Sequence, residues 1–528
     1  MFSALVSLLL FVSPSGVTVS SHLQKFTDFF AAGDPRIPAA LRDSATPLPT
    51  GGVRAIANGP GGVVWLGTGN GLVRYDPQAP AADRIQYFAS RRYLPDDDVQ
   101  TLLPDSGQGI WVRTKTGVSH IELKRMTLDE KSAYFEKRIT ARHDRYGMVS
   151  DSTLARPGDL SSNRLESSDN DGLWTSMYGA AECFRYAVTH SPDALARARR
   201  AAEAVLFLVS ITGRPGFPAR SYVKKGDKVP EDGVWHDSAD GRYIWKADTS
   251  SDELVGHFLL YSLVYDLLPG RELKNEVRTA AKAIMDHILD HGYELTGIDG
   301  RATTWGKWSP VYFATPGGRP DSPLNAVELL SFLRTTAHLT GDAKYEREYR
   351  KVAFDMGYAK IATQYKERQE ELNYSDEELA MLSFYPLFRY ERDSHLLGLY
   401  RKAMDQWWEN EQREKNPLWI FIYAAGNPKA RPDFFAAAWT LNRFPMDMVE
   451  WTVTNSKRSD IAMAGNPDRF GRAETTALLP PDERPVMKWN SSPFRIDGGR
   501  DGRGEDDGAA FLLPYWMGRY HKFLLSGH

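Results

Sequence analysis

One stretch concentrates reactive side chains: Trp245-Lys246-Ala247-Asp248-Thr249-Ser250-Ser251-Asp252-Glu253-Leu254-Val255-Gly256-His257. Ser250 or Thr249 with Glu253 reads as a capping box, in which hydroxyl and carboxylate satisfy the free N–H groups of a starting helix. Three carboxylates and an imidazole exceed what capping needs. His257 shares a helical face with Leu254 and Tyr261, so it points inward if that face is the inner one. A second acidic group, Ser168-Asp169-Asn170-Asp171, precedes another helical pattern that begins at Gly172. One of its acids serves as an N-cap. With Asn170 the two acids also offer oxygens to Ca²⁺, but the remaining ligands of a calcium loop are missing, so no metal and no cofactor is expected. Two carboxylates from separate elements can divide acid and base work. Asp252 or Asp248 with Asp169 or Asp171 are the candidates for such a pair.

The other loops add aromatic and amide groups. They carry Trp174, Arg220, Trp245, Trp305, Trp308, Asn373, Tyr374, Trp489 and Arg495. Indole faces stack on the apolar faces of sugar rings, and carboxylates and amides bind hydroxyls. These nine, together with Asp169, are candidate saccharide-binding residues. Packing between loops accounts for some of them equally well. Glycosidic hydrolysis needs a protonated acid at the bridging oxygen and a carboxylate that activates water or attacks. Elimination from a uronate instead needs a base, commonly Tyr or His, and a group that neutralises the sugar carboxylate. Tyr178, His257, Arg220 and Asn373 are candidates for those roles, and a C5-epimerase would use much the same set. Arg220 lies in the rigid run Gly216-Phe217-Pro218-Ala219-Arg220.

These residues sit between helices. From about residue 171 the hydrophobic period is helical. The spacing predicts pairs over 172–190 and 194–212, 250–268 and 272–292, 324–340 and 343–368, 376–391 and 394–414, and 418–425 and 433–443. A partial sixth pair ends in 508–525. Links within pairs are short. Links between pairs are long, notably 213–249 and 293–323, and each precedes the first helix of a pair. In an (α/α)6 toroid such loops gather at one end, where a concave site is expected. The layout resembles the six-hairpin glycosidase superfamily over about residues 165 to 525. That superfamily holds glycoside hydrolases, unsaturated glucuronyl hydrolases and toroidal polysaccharide lyases. The resemblance implies a carbohydrate-active enzyme. It rests on architecture and composition, and no catalytic residue is carried over from it.

Nearer the N-terminus, Val53, Trp65 and Gly71 return 46 positions later as Val99, Trp111 and Gly117. Each copy holds short alternating runs broken by Gly turns, the pattern of strands and hairpins. The motif Gly62-Val63-Val64-Trp65-Leu66-Gly67-Thr68 followed by Gly71-Leu72-Val73-Arg74-Tyr75-Asp76 resembles the two-component-regulator propeller repeat. Two copies are too few to close a propeller. They imply a small β region that scaffolds or caps the helical part.

The chain has 528 residues, 42% hydrophobic and 25% charged, which excludes a mostly disordered polymer. With 65 basic and 68 acidic residues the net charge is −3, unlike a dedicated nucleic-acid binder. One cysteine, Cys183, excludes an intrachain disulfide and Cys-based metal clusters. Serine-hydrolase, zinc-protease, P-loop and dinucleotide signatures are absent. Residues 4–12 form an apolar run that Pro14 and Gly16 break. Small residues follow to Ser20 and Ser21, as in a signal peptide, although no Lys or Arg precedes the run. The run is too short to span a bilayer. The expected organisation is a signal peptide over 1–21, propeller-like strands over 50–125, a linker or degenerate strands over 126–165, and a toroid over 166–528. The expected protein is mainly α and exported to the periplasm or outside the cell. It acts on an acidic saccharide, with a hydrolase favoured over a lyase or epimerase. A non-catalytic saccharide-binding protein is the remaining alternative.

Overall fold

The structure, a computed structural model, describes residues 16–30, 34–36, 52–369 and 371–526. Six helices form a closed inner ring: α2 (Asp171–Thr189), α4 (Ser251–Leu267), α6 (Gly318–Thr340), α8 (Tyr374–Tyr390), α10 (Pro417–Gly426) and α12 (Ala509–Tyr520). Each packs on the next, and α12 packs back on α2. The outer layer holds α3 (Pro192–Ser210), α5 (Arg271–Asp290), α7 (Ala343–Arg350), α9 (Ser394–Glu411) and α11 (Phe434–Arg443). Composition explains the sorting. Helix α4 is buried from Glu253 through Val264 without a break, as an element packed on every side must be. Helix α5 has one apolar stripe, Leu273, Val277, Ala281, Ile284 and Ile288, and a charged opposite face. Glycines let α2 and α4 approach closely. A methyl on Gly256 would lie 2.8 Å from the Leu173 Cα. One on Gly172 would lie 1.9 Å from the Glu253 Oε2.

The sixth outer position corrects the expected linker over 126–165. Residues Leu128–Arg142 form a helix, α1, with a complete Thr127–Glu130 capping box. It packs on α12 and closes the outer layer. Its charged residues concealed it. Lys131, Glu136 and Arg138 are all buried and read as solvent-facing in sequence. Arg138 and Arg142 pair with Glu505 at 2.7 and 2.6 Å. Lys131 donates to Gln24 and to the carbonyls of Leu441, Asn442 and Phe444. Short strands do follow, at 144–145, 148–149, 152–154 and 163–165.

Ahead of α1 stand two four-stranded antiparallel sheets. One runs β3 (Val53–Asn58), β4 (Val64–Thr68), β5 (Gly71–Tyr75), β6 (Ile85–Phe88) in spatial order. The other is ordered β2 (His22–Phe30), β9 (Val118–Met126), β8 (Ile110–Thr114), β7 (Val99–Pro104). The two copies of the repeat thus supply three strands each, and each sheet takes its fourth strand from outside the motif. The sheets share a core around Trp65, Leu72, Phe88, Ile110, Val112 and Ile121. A buried ion network joins them to the helical ring. Arg443 pairs with Asp83, Asp482 and Glu483 at 2.8–3.0 Å. Lys25 reaches Asp482 at 2.5 Å. Burial alone would raise the Asp482 carboxyl, but Arg443 and Lys25 hold it far below the usual carboxylate range.

The apolar run 4–12 lies outside the described residues. Behind it, β1 (Val17–Val19) pairs in parallel with residues Leu524–Ser526. No helix among the described residues is long and apolar enough to cross a membrane.

Candidate active site

The inner helices run parallel, so their N-termini share one end of the ring. The first turns of α4, α6 and α8 bring Asp252, Asp321 and Asp376 into the lining of one cavity of about 480 Å³. Arg220, Trp305, Asn325, Asn373, Arg469 and Phe470 are among the other residues of its wall, as is the acidic Glu371. An adjoining cavity of about 370 Å³ shares Asn373, Arg469 and Phe470 and adds Tyr374. A third, of about 460 Å³, shares Asn490, Ser491 and Ser492 with the second and adds Asp169, Trp174 and Arg495. Together they make one groove across the mouth of the ring.

Asp252 is held in place. The Asn170 amide donates to its Oδ1 at 3.2 Å. Arg220 fixes Asn170 in turn, donating to its Oδ1 at 3.1 Å and to the Asp169 carbonyl at 2.7 Å. The first turn of a helix favours a carboxylate there. Asp321 accepts a hydrogen bond from the Tyr312 hydroxyl at 2.6 Å. Burial, then the negative charges of Asp321 and Asp252, push the Asp376 carboxyl up to about 6, against hydrogen bonds from Gln369 and Asn373. Beneath the mouth, burial pushes Glu328 and Glu378 up to about 8. The Trp308 indole donates to Glu328 at 2.8 Å. The mouth therefore pairs a carboxyl that holds its proton up to about pH 6 with the anchored Asp252 carboxyl across α6. Trp305, 57% exposed, presents its indole to the cavity, and Phe470, 66% exposed, carries the Arg469 and Arg472 guanidinium groups 5.0 and 4.6 Å from its ring centre. Arg469 has no carboxylate within ion-pair reach among the described residues.

Of the expected site residues, Asp252, Arg220, Trp305 and Asn373 line the first cavity, and Tyr374, Asp169, Trp174 and Arg495 line the rest of the groove. The others have different duties. Asp248 takes a left-handed backbone conformation and clips the 302–307 strand, accepting from the Thr304 N–H and hydroxyl at 2.8 Å. Asp171 is fully buried and bound by Arg145 and Ser221. Tyr178 is buried and donates to Glu136 of α1 at 3.1 Å, away from the mouth. His257 does lie on an inner helix, but below the surface. Its Nδ1 donates to the Glu253 carbonyl at 2.6 Å, and burial lowers its pKa to about 4, so it is a neutral core imidazole. Trp245, Trp308 and Trp489 are buried packing residues. Asp169 and Asp171, weighed as calcium ligands, each meet a protein cation, Lys246 and Arg145. Asp151, Asp506 and Asp507 have metal-like spacing, and the Lys488 ammonium sits on Asp151 and Asp507 at 2.8 and 2.7 Å.

Sequence reasoning missed Asp321, Asp376, Arg469 and Phe470. The signal for the two acids was present. Each, like Asp252, falls in the first turn of an inner helix.

No protein-family model and no curated protein sequence matches the chain. Among solved structures it is similar to a family 76 glycoside hydrolase from a bovine Bacteroides thetaiotaomicron strain, at 9% identity and TM-score 0.43, over 78% of this chain and 83% of that one. A metagenome-derived glycoside hydrolase family 9 endoglucanase aligns at 11% identity and TM-score 0.40, over 94% and 96%. A sugar epimerase from a ruminal bacterium aligns at 12% identity and TM-score 0.36, over 73% and 98%.

Proposed function

We propose that the protein is an exported glycoside hydrolase acting on a uronate-containing oligo- or polysaccharide. The observation that carries the reading is the pairing of Asp252 with Asp376. They stand at the N-termini of α4 and α8, on either side of α6, in one open cavity, and burial with the neighbouring acids raises Asp376 to about 6. In this reading Asp376 protonates the bridging oxygen as the bond breaks. Asp252 attacks the anomeric carbon or takes the proton of the attacking water. Water supplies the hydroxyl of the new reducing end; its proton returns to Asp376 when Asp252 is the nucleophile, and stays on Asp252 until exchange with solvent resets both carboxyls when Asp252 is the base. Trp305 and Phe470 stack on sugar rings. Arg469, and Arg220 at the rim, favour a sugar that carries a carboxylate.

Elimination and epimerisation have less support. The two bases considered for them, Tyr178 and His257, are buried away from the cavity. The test is a panel of uronate-containing and neutral polysaccharides, read for reducing ends and for absorbance near 235 nm together. The hydrolase reading expects reducing ends without absorbance. A rise in both would mean β-elimination and overturn it. Silence on every substrate, with binding by calorimetry, would favour a saccharide-binding protein.

A further inference from the structure

The opposite end of the ring holds a second cavity, the largest of those described, of about 580 Å³. It opens among the C-termini of α4, α6, α8, α10 and α12, so the ring body separates it from the acidic mouth. One wall is a fixed polar network. Asp266 accepts from His338 at 3.0 Å, Arg389 at 2.6 Å and Tyr390 at 3.0 Å. Its single negative charge is spent there, and its carboxyl is held down to about 2 despite burial. Arg389 still has a buried Nε with no partner. Two more cations stand at the rim, Arg392 and Lys522. Neither has a carboxylate within ion-pair reach among the described residues. His521 adds no charge, because burial and then Arg389 push its pKa down to about 3. The facing wall is apolar, with Phe388, Tyr520 and Phe523 beside Ala424, Ala425 and Pro428.

We propose that this cavity binds a small aromatic carboxylate. The two rim cations would receive the carboxylate, with the Arg389 guanidinium, already paired with Asp266, behind them, and the apolar wall would cover the ring. The apolar wall favours a flat ring over a sugar acid, whose hydroxyls would face Phe388, Phe523 and the alanines without partners. Cations also gather at helix C-termini simply to offset the macrodipole. Charge alone would then leave the cavity without a ligand, and the experiment separates the two cases.

The test is calorimetric titration of the full chain with benzoate, 4-hydroxybenzoate, glucuronate and inorganic phosphate. The proposal expects saturable 1:1 binding of the aromatic acids, at least tenfold tighter than glucuronate or phosphate. The exposed double variant Arg392→Gln with Lys522→Gln should weaken that binding at least tenfold, lower thermal stability only by the lost compensation of the helix ends, and leave saccharide turnover unchanged. No binding of either aromatic acid would overturn the proposal and leave dipole compensation as the role of the cations. Binding that survives the double variant would overturn the site assignment. Phosphate binding as tight as benzoate would reduce the cavity to a general anion site.

Discussion

Asp376 sets a pH limb that can be moved by design. A general acid must carry its proton, so turnover is supported below its pKa and lost above it. With the carboxyl at about 6, roughly nine-tenths is protonated at pH 5, about one-tenth at pH 7 and about one-hundredth at pH 8. The alkaline limb of kcat should therefore fall about tenfold per pH unit above that point. Asp321 is the strongest of the charges that raise Asp376. Asp321→Asn keeps an acceptor for the Tyr312 hydroxyl and removes the charge, so the limb should move to lower pH by about half to one unit. Asp376→Asn should cost about 10²- to 10⁴-fold in kcat. The assay is initial rate against pH for the three proteins on one cleaved substrate, with circular dichroism at each pH. A limb that stays in place in Asp321→Asn, or wild-type turnover in Asp376→Asn, would refute this assignment of the acid.

Arg443→Ala should destabilise the chain by about 3–5 kcal/mol, because it leaves Asp83, Asp482 and Glu483 buried without their shared cation. Chemical denaturation should show this, and a loss below 1 kcal/mol would mean that water reaches the interface. Gly172→Ala should cost about 1–3 kcal/mol, since its methyl collides with the Glu253 carboxyl and forces α2 from α4. Equal melting temperatures would show that Glu253 simply swings aside. Trp305→Ala should raise KM with little change in melting temperature, because the indole is mostly exposed. A fall in kcat at unchanged KM would instead place the indole at the reacting bond. If the chain is exported and cut at Ser20 or Ser21, the mature protein would lack β1, which pairs with residues 524–526. The intact mass of protein recovered from the export compartment reads the cut, and a mass that retains residues 1–21 would contradict processing.

Much of the helical ring is legible from the period of the chain, because inner and outer helices differ in how far their apolar faces extend. Helix α4 is apolar all round and α5 on one stripe, and that contrast survives in sequence. Helix α1 is not legible, since Lys131 and Arg138 are buried through partners about 100 to 370 residues away along the chain, and Glu136 through Tyr178 and Arg185, about 40 to 50 residues away. The fourth strand of the β2–β9–β8–β7 sheet escapes for a related reason. It comes from His22–Phe30, ahead of both copies of the repeat. At the site, Asp252 and Arg220 stand out through the density of chemistry around them. Asp321 and Asp376 are isolated in sequence and gain meaning only when the ring sets three helix starts side by side. His257 misleads because sequence reports its face but not its depth. Asp248 misleads because its partner, Thr304, belongs to a distant strand.

The most direct measurement compares turnover of Asp252→Asn and Asp376→Asn with that of Asp248→Asn and Asp506→Asn. All four are assayed on one saccharide that the wild-type protein cleaves. Asp506 lines the far cavity of the same groove, where burial and the neighbouring Asp507 push it up to about 7, so it is the competing acid. Losses of about 10²-fold or more are expected for the first two variants and near wild-type kcat for the last two. Silencing by Asp506→Asn, with turnover retained in Asp252→Asn and Asp376→Asn, would move the chemistry to the other end of the groove and overturn the assignment of Asp252 and Asp376.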